Sequence, residues 1–203
     1  MKELADGVRA FQQQVFRGKK SLFHALAQGQ SPHTLFITCS DSRIDPNLIT
    51  QTDPGELFVI RNAGNLIPVF GASKGGEASA IEFAVAGLGV RNIVVCGHSS
   101  CGAMKGLMQP DLLSELPVVA DWLQHADETR RIVSLNPQDG SSEDILRFAT
   151  EQNVLVQLEN LNSHPAVAAR IQTGEIELAG WVYDIQNGMI SSYSGESKRF
   201  QPL

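Results

Sequence analysis

The sequence predicts an α/β protein built on a central, mainly parallel sheet flanked by helices. Three observations carry that prediction. Short β-rich runs, too brief for helices, alternate with segments whose apolar residues recur every three or four positions. The run NIVVCGH (92–98) is apolar almost throughout, as suits a strand covered on both faces. No internal repeat, linker or low-complexity tract interrupts the alternation. At 203 residues and 42% hydrophobic content the chain can bury one sizeable core and is short for two ordinary domains, so a single domain over 1–203 is expected.

Taken in order, residues 2–27 carry Leu4, Val8, Phe11, Val15, Leu22, Phe23 and Leu26 at helical spacing with a break near Gly18. Two projecting helices, an arm over about residues 1–30, follow from that. TLFITC (34–39) and ELFVIRN (56–62) read as strands bounded by turn residues such as DPG (53–55). GGEASAIEFAVAGLGV (75–90) sets Ala78, Ile81, Val85 and Leu88 on one helical face, and NIVVCGH returns to strand. Residues 117–133 and 141–161 both show helical periodicity, with Ser141 or Ser142 as N-cap of the second. The chain closes in IELAGWVYDIQNGMISSYS (176–194), where Asn187-Gly188 between alternating runs signals a hairpin or tight turn.

A formal net charge of −6 argues against a surface for nucleic acid or an anionic membrane, since phosphate binding needs clustered Lys and Arg. The sequence has no apolar run of 18 residues, and its first twenty residues mix acids and bases, unlike a spanning helix or a secretory signal. A cytoplasmic location is therefore expected. Three cysteines, an odd number in a reducing compartment, then read as thiols or metal ligands rather than disulfides.

Two clusters carry chemistry, each where a predicted strand gives out. In an extended backbone Cys39, Asp41 and Arg43 of CSDSR point to one side, because side chains alternate with a period of two. In CGHSSCG, His98 and Cys101 lie three residues apart, which lets a turn close both around one ion. Together they offer two thiolates, an imidazole and a carboxylate, a set that selects Zn²⁺ over magnesium or calcium. Whether such a site is structural or catalytic depends on its fourth position, for which Asp41 is the candidate. Arg43 can take that carboxylate bidentately and draw it off the metal, leaving room for a reactive water that an ionised Asp41 then orients. Each of these residues taken singly has a bland explanation. A lone strand cysteine is usually a small hydrophobe, the reading applied to Cys96, and an Asp two residues from an Arg is usually a surface ion pair worth roughly 0–1 kcal/mol. Convergence of both clusters at strand ends makes the metal reading the stronger one.

CSDSR (39–43), GELFVIRNAGN (55–65) and CGHSSCGAMKG (96–106) closely resemble the β-class carbonic anhydrases of the plant-type subclass, and the likeness runs from about residue 4 to GWVYDI (180–185). The resemblance implies a zinc enzyme that hydrates CO₂ reversibly to bicarbonate and a proton. It implies four parallel strands with an added edge strand, assembled as a homodimer or dimer of dimers. Cys39, His98 and Cys101 match the zinc ligands, and Asp41 and Arg43 match the catalytic dyad, in which Asp41 closes onto the metal at low pH. Gln30 in GQSP matches a substrate-binding glutamine that reaches into the neighbouring subunit's site. Phe58 and Ala63 match apolar pocket positions, and the backbone amide of Gly102 matches a substrate contact. Phe83 stands where many plant-type members have tyrosine, which removes a hydroxyl from the pocket. Phe36 stands where bicarbonate-inhibited members of the other subclass have a tryptophan donor, so no regulatory bicarbonate site of that kind is expected. The wording looks most like carboxysomal and cyanate-operon enzymes; with no long extension after Leu203, recruitment to a shell is not expected. His24, His33, His125 and His164 are proton-relay candidates by type. A hydrolase of carbon disulfide or carbonyl sulfide, and a zinc-locked scaffold, are the alternatives.

Overall fold

The structure is a computed structural model and describes residues 1–72 and 75–203. The chain divides into two compact units, Met1–Ser31 and Pro32–Leu203. In the first, α1 (Lys2–Ala10) runs through a wide π-helical turn at Phe11–Val15 into α2 (Phe16–Gly18), and α3 (Lys20–Leu26) follows. The wide turn makes Phe11 and Phe16, five residues apart, neighbours: the Phe16 N–H donates to the Phe11 carbonyl. Their rings lie 6.3 Å apart, and Phe23 packs against both at 5.7 and 5.2 Å. The helical path breaks at Lys19 (φ −114°, ψ 26°), one residue beyond Gly18.

The second unit is built on one six-stranded sheet: β1 (Thr34–Cys39), β2 (Leu57–Asn62), β3 (Asn92–His98), β4 (Glu177–Tyr183), β5 (Ile190–Ser194) and β6 (Arg199–Pro202), in the order β2-β1-β3-β4-β5-β6. The first four are parallel, whereas β5 and β6 are antiparallel. The parallel set is the expected one, and two strands rather than one extend it. β5 returns beside β4 through the turn at Asn187-Gly188, with Gly188 at φ 75°. β6, four residues ending at Pro202, shows no alternation that would mark it.

The helices that flank the sheet are α4 (Pro46–Thr50), α5 (Gly76–Glu82), α6 (Gly102–Met108), α7 (Pro117–Trp122), α8 (Asp127–Leu135), α9 (Ser142–Leu161) and α10 (Pro165–Gln172). The segment read as one helix over 117–133 is instead interrupted by a 3-10 turn at Leu123–Ala126. Three residues per turn superimposes Leu123 on Ala126, and both are buried. Ser141 caps α9 through a reciprocal exchange with Asp144. Along β1 the side chains divide by alternation: Leu35 and Ile37 join Ile60, Ile93, Val95 and Val154 in one core. Phe36 joins Val94 and Cys96 in another, its ring 6.0 Å from that of Trp181. Among the described residues no helix is long and apolar enough to cross a membrane.

Candidate metal centre

Parallel strands that lie side by side end side by side, and β1 and β3 are neighbours in the sheet. Cys39 is the last residue of β1 and His98 the last of β3. After His98 the chain reverses through Ser100, held at φ 55°, and Cys101 precedes the first turn of α6. The Cys39, His98 and Cys101 ligand atoms consequently lie within 4.8 Å of one another, and all three residues are buried.

The imidazole is aimed by its own neighbour. His98 Nδ1 lies 2.9 Å from the Ser99 carbonyl, which can only accept, so Nδ1 carries the proton and Nε2 is the free lone pair. Nε2 is fully buried beside two sulfurs and has no hydrogen-bond partner among the described residues. Such an orphaned acceptor is costly unless a cation sits on it, and two thiols with one imidazole suit a soft divalent ion. The residues fit Zn²⁺.

The sulfurs are electrostatically unequal. A hydrogen bond from Cys101, the adjacent imidazole and the Gly64 N–H, 3.4 Å from Cys39 Sγ, outweigh burial and lower the Cys39 thiol to about 4. The same pairing, together with burial, pushes the Cys101 thiol up. One proton is thus shared between two sulfurs, leaving a negative pocket for a cation. Cys96, by contrast, points into the Phe36 core, and burial raises its thiol to about 12. It is a small hydrophobe.

Asp41 and Arg43 form the rim. Arg43 Nε donates to Asp41 Oδ1 at 2.9 Å and Nη2 to Oδ2 at 2.7 Å, while the Arg43 backbone N–H reaches Oδ1 at 3.0 Å. This fork, against a smaller burial effect, holds the Asp41 carboxyl well below the usual carboxylate range. Oδ2 stands 3.9 Å from His98 Nε2, and Asp41 is not among the three clustered ligands. Arg43 Nη2 also donates to the Ser100 carbonyl at 3.1 Å, tying the two motifs together.

Several holders of the site were assigned no role from the sequence. Arg61 on β2 donates to the carbonyls of Cys39 (3.1 Å) and Asp41 (2.7 Å), fixing the loop that presents both. From α9, Asn153 Nδ2 donates to the Gly64 carbonyl, Gln157 Oε1 accepts from the Ile67 N–H, and Asn160 Nδ2 donates to the Ile67 carbonyl. These buried amides brace the segment whose Gly64 N–H meets Cys39 Sγ. Their spacing along α9, every third or fourth residue, was the available signal, since such spacing places them on one helix face.

Of the pocket positions, Gly102 opens α6 beside Cys101 and has open space where a Cβ would project. Ala63 lines a concavity with Asn62, Glu77, Val118, Val119 and Trp122, and its carbonyl accepts from Trp122 Nε1 at 2.9 Å. Phe58 and Phe83 pair with each other at 6.0 Å, and Phe83 is half exposed. They do not join the cluster of their own chain. Phe58 pairs with Leu35, four residues before Cys39 and thus about 13 Å back along β1 at ~3.3 Å per residue. Gln30 belongs to the Met1–Ser31 unit. Among the histidines, His164 is buried and bonds the Pro68 carbonyl, His33 precedes β1 at the end remote from Cys39, and His24 lies in the first unit. His125 stacks edge-on against Trp122 at 5.1 Å.

A parallel α/β sheet that gathers two thiols and an imidazole at adjoining strand ends, with an arginine-held carboxylate at the rim, defines a protein of the open α/β class with a site able to hold a metal ion. The carbonic anhydrase family model matches residues 34–190. The chain belongs to the carbonic anhydrase family. It is 50% identical to a carbonic anhydrase of Synechococcus elongatus over 97% of this chain and 73% of that one, and 47% identical to one of Pseudomonas aeruginosa over 100% and 92%. The solved structure of the β-carbonic anhydrase CcaA superposes with a TM-score of 0.98 at 47% identity, covering 100% of this chain and 99% of that one. A tetrameric β-carbonic anhydrase from Sordaria macrospora superposes at 0.85 with 28% identity, over 94% and 95%.

Proposed function

We propose that the chain catalyses the reversible hydration of CO₂ to bicarbonate and a proton, with Zn²⁺ held by Cys39 Sγ, His98 Nε2 and Cys101 Sγ. The observation that carries this reading is the buried, partnerless His98 Nε2 between two sulfurs, with an ionised carboxylate 3.9 Å away. When bound, the ion supplies Lewis acidity that makes water a nucleophile near neutral pH. The chain's residues supply orientation. Asp41, fixed by Arg43, accepts a hydrogen bond from the water and turns its lone pair toward CO₂. The Gly102 backbone amide, at the opening turn of α6, binds the oxygen on which negative charge develops. The apolar wall at Ala63 and Trp122 suits an uncharged linear substrate.

Gln30, Phe58 and Phe83 serve the site of a second copy in this reading. Support comes from the strand register, which sets Phe58 about 13 Å behind Cys39 at ~3.3 Å per residue, and from the half-exposed Phe83 ring beside it. A homodimer or dimer of dimers follows. Stopped-flow CO₂ hydration on protein of measured zinc content tests the proposal. Turnover in proportion to zinc is expected, and a zinc-replete chain that is silent at alkaline pH would end it.

A further inference from the structure

Beyond the strand ends, β3 and β4 stay joined through Ser99, which lies between the candidate ligands His98 and Cys101, and Asp184, which lies in neither cluster. His98 and Tyr183 are register partners. Past them the Ser99 N–H donates to the Tyr183 carbonyl at 2.9 Å, and Ser99 Oγ accepts from the Ile185 N–H at 2.9 Å. Ser99 Oγ in turn donates to Asp184 Oδ1 at 3.4 Å. Asp184 also organises the β4–β5 turn: Oδ1 accepts from the Gln186 N–H and Oδ2 from Asn187 Nδ2, each at 2.9 Å. Every polar group of Ser99 is therefore engaged, and its carbonyl is the acceptor that fixes the His98 Nδ1 proton. One residue on, the left-handed Ser100 offers its carbonyl to Arg43 Nη2.

We propose that Ser99 and Asp184 are positioning residues that act on the metal centre through the backbone: they clamp the Ser99-Ser100 turn to the end of β4. The clamp sets the tautomer and aim of His98 and, through the next carbonyl, the seat of Arg43. A carbonyl orients a metal-bound imidazole only if the carbonyl is itself held, and partners of this kind are worth about 10- to 100-fold in metal affinity. The clamp holds Ser99 at its N–H and its hydroxyl, which leaves the carbonyl no freedom to swing away. The turn lies on the wall of a cleft of about 400 Å³ that Arg43 also lines, so loosening it disturbs ligand and dyad together.

The inference rests on the metal reading of Cys39, His98 and Cys101. The test is zinc affinity by chelator competition, with the visible spectrum of the cobalt-substituted protein, for Ser99→Ala, Ser99→Thr, Asp184→Ala and Asn187→Ala, alongside thermal unfolding of the metal-free forms. Asn187→Ala loosens the same turn without touching Ser99 and serves as the control. Ser99→Ala is expected to bind zinc about 10-fold or more weakly with an altered cobalt spectrum, Asp184→Ala to do so to a smaller degree, and Ser99→Thr, which keeps the hydroxyl, to restore affinity. Ser99→Ala with affinity and spectrum no different from Asn187→Ala overturns the proposal, as does a failure of Ser99→Thr to restore either. A parent protein that binds no zinc ends the metal reading instead, so the two failures are distinct.

Discussion

Asp41 accepts from Arg43 Nε and Nη2, and in the proposed function this fork is what holds the carboxylate away from the metal ligands. Replacing Arg43 by Ala frees the Asp41 carboxylate, whose Oδ2 stands 3.9 Å from His98 Nε2, to swing toward the candidate ligand cluster. The variant should retain zinc by elemental analysis while losing about 100-fold or more in CO₂ hydration, the scale of a positioned acid–base group. Near-normal turnover would refute the dyad. His164 gives a second prediction at this scale. Its ring is buried against Phe70 and Pro68, and burial depresses its pKa below the ordinary imidazole value. A depressed imidazole takes up its proton more readily in the unfolded chain, so its contribution is complete above about pH 6.5 and is lost as pH falls through the folded value. Melting temperatures measured from pH 8 to 5 should fall below about 6.5, and less steeply in His164→Gln. Cys39, Asp41, Arg43, His98 and Cys101 were legible in the sequence because each is a reactive type at a spacing that extended or turn backbone converts into convergence. The roles of Ser99, Arg61 and Gly64 were not, since each acts on or through backbone amides and carbonyls, which no residue type advertises.

Helix α9 illustrates why element-level reading succeeds in outline and misses the energetics. Its N-cap was narrowed to Ser141 or Ser142 and its length was legible from the periodicity, but Asn153, Gln157 and Asn160, which a polarity pattern assigns to solvent, are buried against the 64–67 segment. Gln157→Leu strips the Ile67 N–H of its acceptor at nearly constant volume and should cost about 1–3 kcal/mol in denaturant unfolding. Unchanged stability would mean that the amide row is dispensable. The helix also needs glycines beneath it. A Cβ on Gly180 would stand 2.8 Å from both Leu158 Cδ1 and Val154 Cγ1, and one on Gly97 would stand 2.9 Å from Thr150 Cγ2. Gly180→Val should therefore lift α9 from the sheet and destabilise by about 1–3 kcal/mol or more, seen as a lowered melting temperature. No change in melting would show that the helix can yield at no cost. Because α9 braces Gly64, both variants should weaken zinc retention as well.

At the scale of the molecule, the parallel order β2-β1-β3-β4 brings the ends of β1 and β3 together, and with them the candidate metal ligands Cys39 and His98. That much followed from two apolar runs ending in Cys39 and His98. β6 and the π-helical turns at Phe11–Val15 and Phe83–Gly87 did not follow, because Arg199–Pro202 lacks a period and a π turn adds a residue without changing composition. A homodimer or larger even assembly is the expected solution state, measurable by sedimentation; a monomer with full activity would remove Gln30, Phe58 and Phe83 from the site. The sheet's two rims differ in kind. One is the six-residue β2, with Val59 partly open to solvent; the other is β6, four residues long and finished by proline. A proline-blunted border discourages a newcomer strand, whereas the longer border remains receptive. Growth by strand addition is thus expected on one flank only, where two such molecules would saturate each other and give a closed pair instead of an endless ribbon.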